Sequence, residues 1–242
     1  MEPQYFSEDS SPENWKLAGI LRELGRLLPS HSEINWQESR GRCGKVLSKF
    51  LLRSDTSVRV GDLLQGQPYE VGGDEHHIVR VQSDPSRVFK LTHGDNFGCR
   101  SYFSPIDPEL IGHFHGETNA NPFFYLERWF LLNCLGAYQT RFEGIFPPEK
   151  DGWLPRICIS QPELPGANPT PQEIREALAK YRFCQISIGA FYQRESNVLL
   201  TDAVPRNVRV VDGVPVLFDA IAQIPPERVR DWAITRCEDS RN

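Results

Sequence analysis

Three side chains with oxygen ligands surround a predicted β-hairpin near the end of the chain, in the segment TDAVPRNVRVVDGVPVLFDA at 201–220. Asp202 is followed five positions later by Asn207, and Asp219 ends the second strand of the hairpin. Because an antiparallel hairpin brings its two outer ends together, we expect Asn207 and Asp219 to lie side by side. An amide oxygen and a carboxylate suit Mg²⁺ that is shared with phosphate groups.

This spacing favours phosphoryl transfer as the chemistry. Asp202 lies one short turn from the pair, where it is placed to accept the proton of an attacking hydroxyl group or to orient that group. Kinases use a catalytic Asp, an Asn five residues later for one metal ion, and a later Asp for the metals. A simpler interpretation also remains open, since Asp and Asn favour hairpin ends for their turn chemistry alone.

Groups able to hold a nucleotide precede this segment in the order that the chemistry requires. Gly72 and Gly73 lie at a predicted bend, where the missing side chains let backbone amides approach phosphate. Lys90 lies on the next predicted strand, RVFKLT, and Glu127 lies in the middle of an apolar helix. Because a charge in a buried helix needs a partner, we predict an ion pair between Lys90 and Glu127.

The elements that must position these residues form an α+β layout. Hydrophobic periodicity and turn signals predict helices over about 13–28 and 37–53, a hairpin over 69–92, a loop over 93–120 with one helical turn at DPELIGH, a helix over 121–136, strands on either side of PPEKDG, a helix after Thr170, and a final hairpin that turns at Asp212-Gly213. Asn121 and Thr170 are the predicted N-caps of their helices, and Thr170 forms a capping box with Glu173.

Composition excludes several classes of function. The formal net charge of -5 and the pI near 5.7 argue against a general nucleic-acid or anionic-membrane binder. No apolar run is long enough to cross a bilayer, and six cysteines without a CxxC pair indicate reduced thiols, so we expect a cytoplasmic protein. The basic stretch 40–53 favours the solvated face of a packed helix over a docking patch for acidic partners.

Four segments together resemble a known family: VGGDEHHIVRV…RVFKLT, NPFFYLERWFLLN…TRFEGIF, ISQPELPGANPTPQEI and TDAVPRNVRVVDGVPVLFD. In this order they are similar to the serine/threonine/tyrosine kinase-like domain found in bacterial and phage polyvalent proteins, over roughly 63–225. The order of the motifs is the specific part of the match. The resemblance implies a compact, atypical two-lobed kinase-like fold, with a helical extension at 1–62, an antiparallel-sheet N-lobe at about 63–160 and a reduced C-lobe at about 165–242.

The resemblance also implies roles for single residues, with ATP and Mg²⁺ as cofactors and a hydroxyl group, expected on a protein, as the phosphate acceptor. These roles are the nucleotide loop (Gly72, Gly73, Glu75), the phosphate-binding amine (Lys90) and its ion-pair partner (Glu127), the adenine-facing hinge (Ser160, Gln161, Pro162, Glu163), the catalytic base (Asp202) and the metal ligands (Asn207, Asp219).

The chain departs from the kinase pattern at two positions. Leu200-Thr201 replace the His-Arg that precedes the catalytic Asp, and Ala220 replaces the Gly that follows the metal-binding Asp. The 23 residues after Asp219 are too few for a large helical substrate lobe, so we expect no usual peptide groove. Two alternatives stay open: a pseudokinase that binds nucleotide without turnover, and a small-molecule kinase similar to the aminoglycoside phosphotransferases.

Overall fold

The computed structural model describes residues 12–27, 36–51, 64, 70–72, 75–94, 96–103, 111–114, 121–135, 140–164 and 166–239. Within these residues, five helices and several antiparallel β-sheets confirm the predicted α+β class. The chain divides into two compact units. Unit 1 comprises Met1–Asp95 and Thr140–Gln161, and unit 2 comprises Asn96–Gln139 and Pro162–Asn242.

The described elements follow one another along the chain as listed here. They are α1 (Pro12–Leu27), α2 (Trp36–Leu51), β1 (Glu70–Gly72), β2 (His76–Arg80), β3 (Arg87–Thr92), β4 (Arg100–Phe103), β5 (Ile111–Phe114), α3 (Pro122–Cys134), β6 (Arg141–Phe146), β7 (Arg156–Pro162), α4 (Pro171–Lys180), β8 (Cys184–Ser187), β9 (Ala190–Gln193), β10 (Val198–Thr201), β11 (Val208–Val211), β12 (Val214–Leu217), β13 (Ile221–Gln223) and α5 (Glu227–Asp239).

Unit 1 is built on a five-stranded sheet in the order β1-β2-β3-β7-β6. The central strand β3 is buried along its whole length, so both faces of the sheet are covered at this strand. A core of Val79, Phe89, Leu91 and Cys158 packs on one part of this sheet. Helices α1 and α2 pack against each other and against β6, so the helical segments at the start of the chain belong to the same unit as the sheet.

Helix α2 is amphipathic, as its sequence predicts. Cys43, Val46 and Leu47 are buried on the inner face, while Lys45 and Lys49 are exposed on the outer face. The outer face borders an open groove of about 770 Å³ lined by Arg40, Gly41, Gly44, Lys45, Ser48, Lys49, Gly152 and Leu154. The solvated basic face is therefore confirmed, and a docking role for it stays a prediction.

Unit 2 contains a four-stranded sheet in the order β13-β10-β9-β8 and a separate hairpin of β11 and β12. The hairpin turns at Asp212 and Gly213, with φ of 52° and 77°, and Val211 lies opposite Val214. Two successive left-handed residues are the geometry that an Asp-Gly hairpin turn predicts. Helix α3 packs on β13, α4 packs on the β11–β12 hairpin, and α5 packs on β8 and β9.

The helix starts follow the predicted caps. Asn121 Oδ1 accepts a hydrogen bond from Phe124 N at 3.0 Å, and Thr170 and Glu173 form the reciprocal capping box. The aromatic side chains of α3 are core residues, with Trp129 fully buried. Among the described helices, none is long and apolar enough to cross a membrane.

One local prediction is wrong. The sequence predicts a loop over 93–120 with one helical turn at DPELIGH, but Arg100–Phe103 and Ile111–Phe114 are strands β4 and β5, which pair antiparallel from Phe103↔Ile111 to Arg100↔Phe114. Residues 107–110 of DPELIGH lie outside the described residues. Pairing with a partner strand decides the conformation of a short segment that carries no clear period of its own. Strand β13 and helix α5 were also not predicted; α5 buries only Val229 and Ala233, so its apolar face is narrow.

Candidate active site

The loop between β10 and β11 holds Asp202 and Asn207 against each other. Asn207 Nδ2 donates to Asp202 Oδ2 at 2.7 Å and to the Asp202 carbonyl oxygen at 2.9 Å. Backbone hydrogen bonds from Val204 N to Asp202 O and from Asn207 N to Val204 O, both 2.9 Å, close the loop. Asn207 is 6% exposed, and its two hydrogen bonds to Asp202 hold the amide group in one orientation.

Asp202 adopts a left-handed backbone conformation, with φ of 52°. Few residues other than glycine tolerate this region, and Asp is one that does so with a modest cost. The next residue, Ala203, donates its N–H to the Gly189 carbonyl oxygen at 3.0 Å, which anchors the start of the loop to the β8–β9 turn. The left-handed conformation lets β10 end abruptly, and Asp202 is 23% exposed at that end.

Asp219 lies at the same end of the hairpin as Asn207. Its backbone N–H donates to the Asn207 carbonyl oxygen at 3.3 Å, one step beyond the last strand pair, Val208↔Leu217. Strands β10 and β13 pair antiparallel up to Thr201↔Ile221. Asp202 and Ala220 are therefore the next residues beyond this pair on the two strands. Two independent strand pairings therefore bring Asp202, Asn207 and Asp219 together, as the spacing in the sequence predicts.

Strand β10 delivers Asp202 from the interior of unit 2. Leu200 and Thr201, the two residues before Asp202, are both buried. The Thr201 and Ser101 hydroxyl groups share a hydrogen bond, and Ser101 N donates to Gln223 Oε1 at 3.0 Å. An apolar side chain and a hydroxyl side chain thus fix the end of this strand within the core.

Arg128 is a residue of this site that the sequence reasoning missed. Its Nε donates to the Ala220 carbonyl oxygen at 2.9 Å, and its Nη2 donates to the Asp219 carbonyl oxygen at 2.8 Å and to Asp219 Oδ1 at 3.0 Å. Like Glu127, Arg128 is a charged residue within an apolar helix and needs a partner there. Its partner was not visible because it lies 91 residues further along the chain.

A second arginine contacts the other aspartate. Arg206 Nη2 lies 2.8 Å from Asp202 Oδ1, four residues away in sequence, and the Arg206 side chain is 71% exposed. An ion pair at this exposure contributes little to stability, because solvent screens it and the long side chain loses rotamer freedom. One carboxylate oxygen of Asp202 therefore accepts a hydrogen bond from Asn207, and the other contacts the exposed Arg206 side chain, which water can readily replace.

Glu127 is partly buried on α3 of unit 2. Desolvation raises the pKa of its carboxyl group to about 7, well above the ordinary value of 4.5. A cation placed beside this carboxyl group would lower that pKa again. Lys90 belongs to unit 1, and its pairing with Glu127 stays a prediction.

The other predicted nucleotide-binding residues lie around the sheet of unit 1. Lys90 is 7% exposed on β3, opposite Ile78 of β2. Gly72 ends β1 opposite His76, and Gly73 lies outside the described residues. Glu75 contributes its carbonyl oxygen to His93 N at 3.2 Å, and its Oε1 lies 3.3 Å from His76 Nε2.

The predicted hinge begins inside β7. Ser160 is buried: its hydroxyl accepts from Arg87 Nε at 2.8 Å and donates to Glu143, and its carbonyl oxygen accepts from Arg87 Nη2 at 2.8 Å. Gln161 Nε2 donates to Thr140 Oγ1 at 3.0 Å, and Glu163 is exposed beyond the strand. The chain passes from unit 1 to unit 2 directly after Gln161, within the predicted hinge.

The donor set of unit 2 fits a hard divalent cation. Asn207 and Asp219 are two oxygen-bearing side chains at the same end of the hairpin, and the Asp219 side chain is 39% exposed. Mg²⁺ is commonly bound through one or two protein oxygen ligands, with phosphate oxygens and water as its other ligands. The arrangement therefore suits a metal ion that arrives with a phosphorylated ligand.

No protein-family model matches the chain, and neither the curated proteins nor the solved structures contain a match to it.

Proposed function

We propose that the protein is an ATP- and Mg²⁺-dependent phosphotransferase of atypical, two-lobed kinase-like fold, whose acceptor is a hydroxyl group of a protein. The observation that supports it most is the cluster of Asp202, Asn207 and Asp219 at one end of the β11–β12 hairpin. This cluster has the spacing and the residue types of a kinase metal site. The passage of the chain between units at Gln161 also fits a kinase hinge.

In this proposal each residue has a distinct task. Asn207 and Asp219 would hold Mg²⁺, which neutralises charge on the phosphate groups of ATP. The acceptor oxygen forms a bond to the γ-phosphorus while the bond between that phosphorus and the ADP oxygen breaks, and Asp202 takes the acceptor proton. Asn207 keeps the Asp202 carboxylate turned in one direction through the 2.7 Å hydrogen bond. Lys90 would bind the phosphate groups.

A second candidate function is nucleotide binding without turnover, as in a pseudokinase. The ion pairs of Arg206 with Asp202 and of Arg128 with Asp219 favour it, because each places a cation on a carboxylate that catalysis would use. The two candidates differ in one measurable product. A phosphotransferase releases ADP in the presence of an acceptor, whereas a binding module retains ATP unchanged.

The first experiment is a calorimetric titration of ATP into the full chain, with and without Mg²⁺. We expect binding that depends on Mg²⁺ and that Asp219→Asn weakens at least tenfold. Asp212→Asn is the matched control, because Asp212 is exposed at the turn of the same hairpin and Asn also suits its left-handed backbone. If the wild-type protein binds no ATP in either condition, the proposed phosphotransferase function is wrong.

Turnover is then measured on the same samples. Asp202→Asn should retain Mg²⁺-dependent ATP binding within about threefold, because Asp202 lies outside the proposed metal ligands, and should lose ADP release. If wild type and Asp202→Asn bind ATP equally and neither releases ADP with any protein or small-molecule acceptor, the binding module is the better description.

A further inference from the structure

We propose that Arg128 is a positioning residue, through which helix α3 sets the direction of the Asp219 carboxylate and holds the Asp219–Ala220 segment in one conformation. The proposal rests on the proposed function, because its purpose is to present Asp219 to the metal ion. It adds a regulatory property: helix α3 fixes the orientation of the metal-binding carboxylate. This carboxylate therefore does not switch between two orientations through rotation of the Asp219 backbone.

Hydrogen bonds from Arg128 fix both the backbone and the side chain of the Asp219–Ala220 segment. The bonds to the carbonyl oxygens of Asp219 and Ala220, at 2.8 and 2.9 Å, fix two consecutive peptide groups. The bond to Asp219 Oδ1, at 3.0 Å, fixes the side-chain rotamer. A guanidinium group supplies these donors from one rigid plane, whereas an ammonium group is a single point with no fixed directions.

Arg128 is itself held in place, so it can fix the position of Asp219. Its side chain is 5% exposed, and its guanidinium carbon lies 4.4 Å from the centre of the Trp129 ring. Trp129 is fully buried and makes an edge contact with Tyr125, with ring centres 5.9 Å apart. Both aromatic residues belong to α3, so the guanidinium position is determined by the helix.

The segment that Arg128 holds has little freedom on its other sides. Asp219 N donates to Asn207 O, and Ala220 is fully buried between Asp219 and the first residue of β13. Where protein kinases carry Gly, Ala220 also has fewer accessible backbone conformations. The Asp219 side chain is nevertheless 39% exposed, so a cation can approach its carboxylate from the solvent side.

A preoriented carboxylate matters for this metal in particular. Mg²⁺ demands nearly ideal octahedral geometry, and a ligand that must first be ordered weakens its binding. Side chains that orient a metal ligand typically change metal affinity or activity by about 10- to 100-fold when they are removed. Arg128 would strengthen Mg²⁺ binding by orienting the carboxylate. Its positive charge, which lies next to the metal, would weaken that binding.

Arg128→Lys separates these two effects, because it keeps the charge and removes the planar fork. We expect Arg128→Lys to weaken Mg²⁺-dependent ATP binding about tenfold and to leave ATP binding without metal unchanged. Binding of Mn²⁺ alone, followed by electron paramagnetic resonance, should weaken by a similar factor. Hydrogen exchange of a peptide that covers Asp219 and Ala220 should become faster. Arg194→Lys is the matched control, since Arg194 forms an exposed pair with Glu238.

Each result decides the proposal. Unchanged or tighter Mg²⁺-dependent binding in Arg128→Lys, when the wild type binds, overturns the role of Arg128 alone and leaves the phosphotransferase intact. A wild-type protein that binds no ATP with Mg²⁺ overturns both. A thermal scan of each variant identifies any loss of binding that is caused by unfolding. Arg128→Met removes the charge as well as the planar fork. If Arg128 only competes with the cation, this variant should bind metal more tightly than wild type.

Discussion

Two aspartates of unit 2 are each held by an arginine, and the two pairs lie in opposite surroundings. Arg128 is 5% exposed and reaches Asp219 from the buried side of α3, whereas Arg206 is 71% exposed and reaches Asp202 from within the same loop. Both distances are close to 3 Å, at 3.0 and 2.8 Å. The length of an ion pair therefore does not measure its contribution to stability; burial and the number of additional hydrogen bonds do.

The largest expected effect comes from removing the buried arginine. Arg128→Met leaves the carbonyl oxygens of Asp219 and Ala220 without their donor and should lower the free energy of unfolding by about 2–4 kcal/mol. Arg206→Met should change it by less than about 0.5 kcal/mol, because the pair is solvated. Urea unfolding of both variants measures the contrast. Equal losses in the two variants would contradict the distinction between the buried and the exposed pair.

Buried and exposed carboxyl groups should differ in the same way as the buried and exposed arginines. Because burial raises the pKa of Glu127 to about 7, the folded chain binds more protons than the unfolded chain between about pH 4.5 and 7, and stability falls as pH rises through this range. Glu127→Gln removes this penalty. Its stability relative to wild type should rise from near zero at pH 4 to at most about 3 kcal/mol at pH 8.

Glu173→Gln is the exposed counterpart. Hydrogen bonds from the backbone and side chain of Thr170 lower the pKa of Glu173, so this carboxylate stabilises the fold above its ordinary pKa of 4.5 and loses that contribution as pH falls. The two variants should therefore show pH profiles of opposite sign. A flat profile for Glu127→Gln would instead indicate a cation beside Glu127, as the predicted pair with Lys90 requires.

A single exposed helix cap should contribute less than the buried arginine. Thr170→Ala removes the hydroxyl group that accepts a hydrogen bond from Glu173 N at 3.2 Å and should destabilise the chain by about 1 kcal/mol. Thr170→Ser keeps the hydroxyl and should restore most of that stability. The midpoint of urea unfolding gives both values, and a loss of 3 kcal/mol or more would mean that the N-terminus of α4 carries contacts beyond its cap.

Features that depend on neighbouring residues could be predicted from the sequence. The Asp212-Gly213 turn, the caps at Asn121 and Thr170, and the approach of Asn207 to Asp219 all follow from chemistry within a few residues or from one hairpin. The same holds for the buried and exposed faces of α2. In each case local backbone preferences and the tertiary structure favour the same conformation.

Features that depend on distant partners could not be predicted. Arg128 finds its acceptors 91 and 92 residues away, and Arg87 finds Ser160 73 residues away. The strand β5 carries no periodic pattern and is defined by pairing with β4. No spacing rule connects such residues, because the fold that brings them together is determined by the packing of whole elements.

The alternation of the chain between the two units has a consequence for synthesis on the ribosome. Unit 1 takes its first segment from residues up to Asp95 and its last from Thr140–Gln161, and β7 is the strand that lies next to β3. Until β7 has been synthesised, the edge of β3, the strand that carries Lys90, lacks its neighbour in the nascent chain. Helix α3 is translated before that gap closes, so the emerging polypeptide carries an open sheet edge through that interval, a natural target for a holding chaperone.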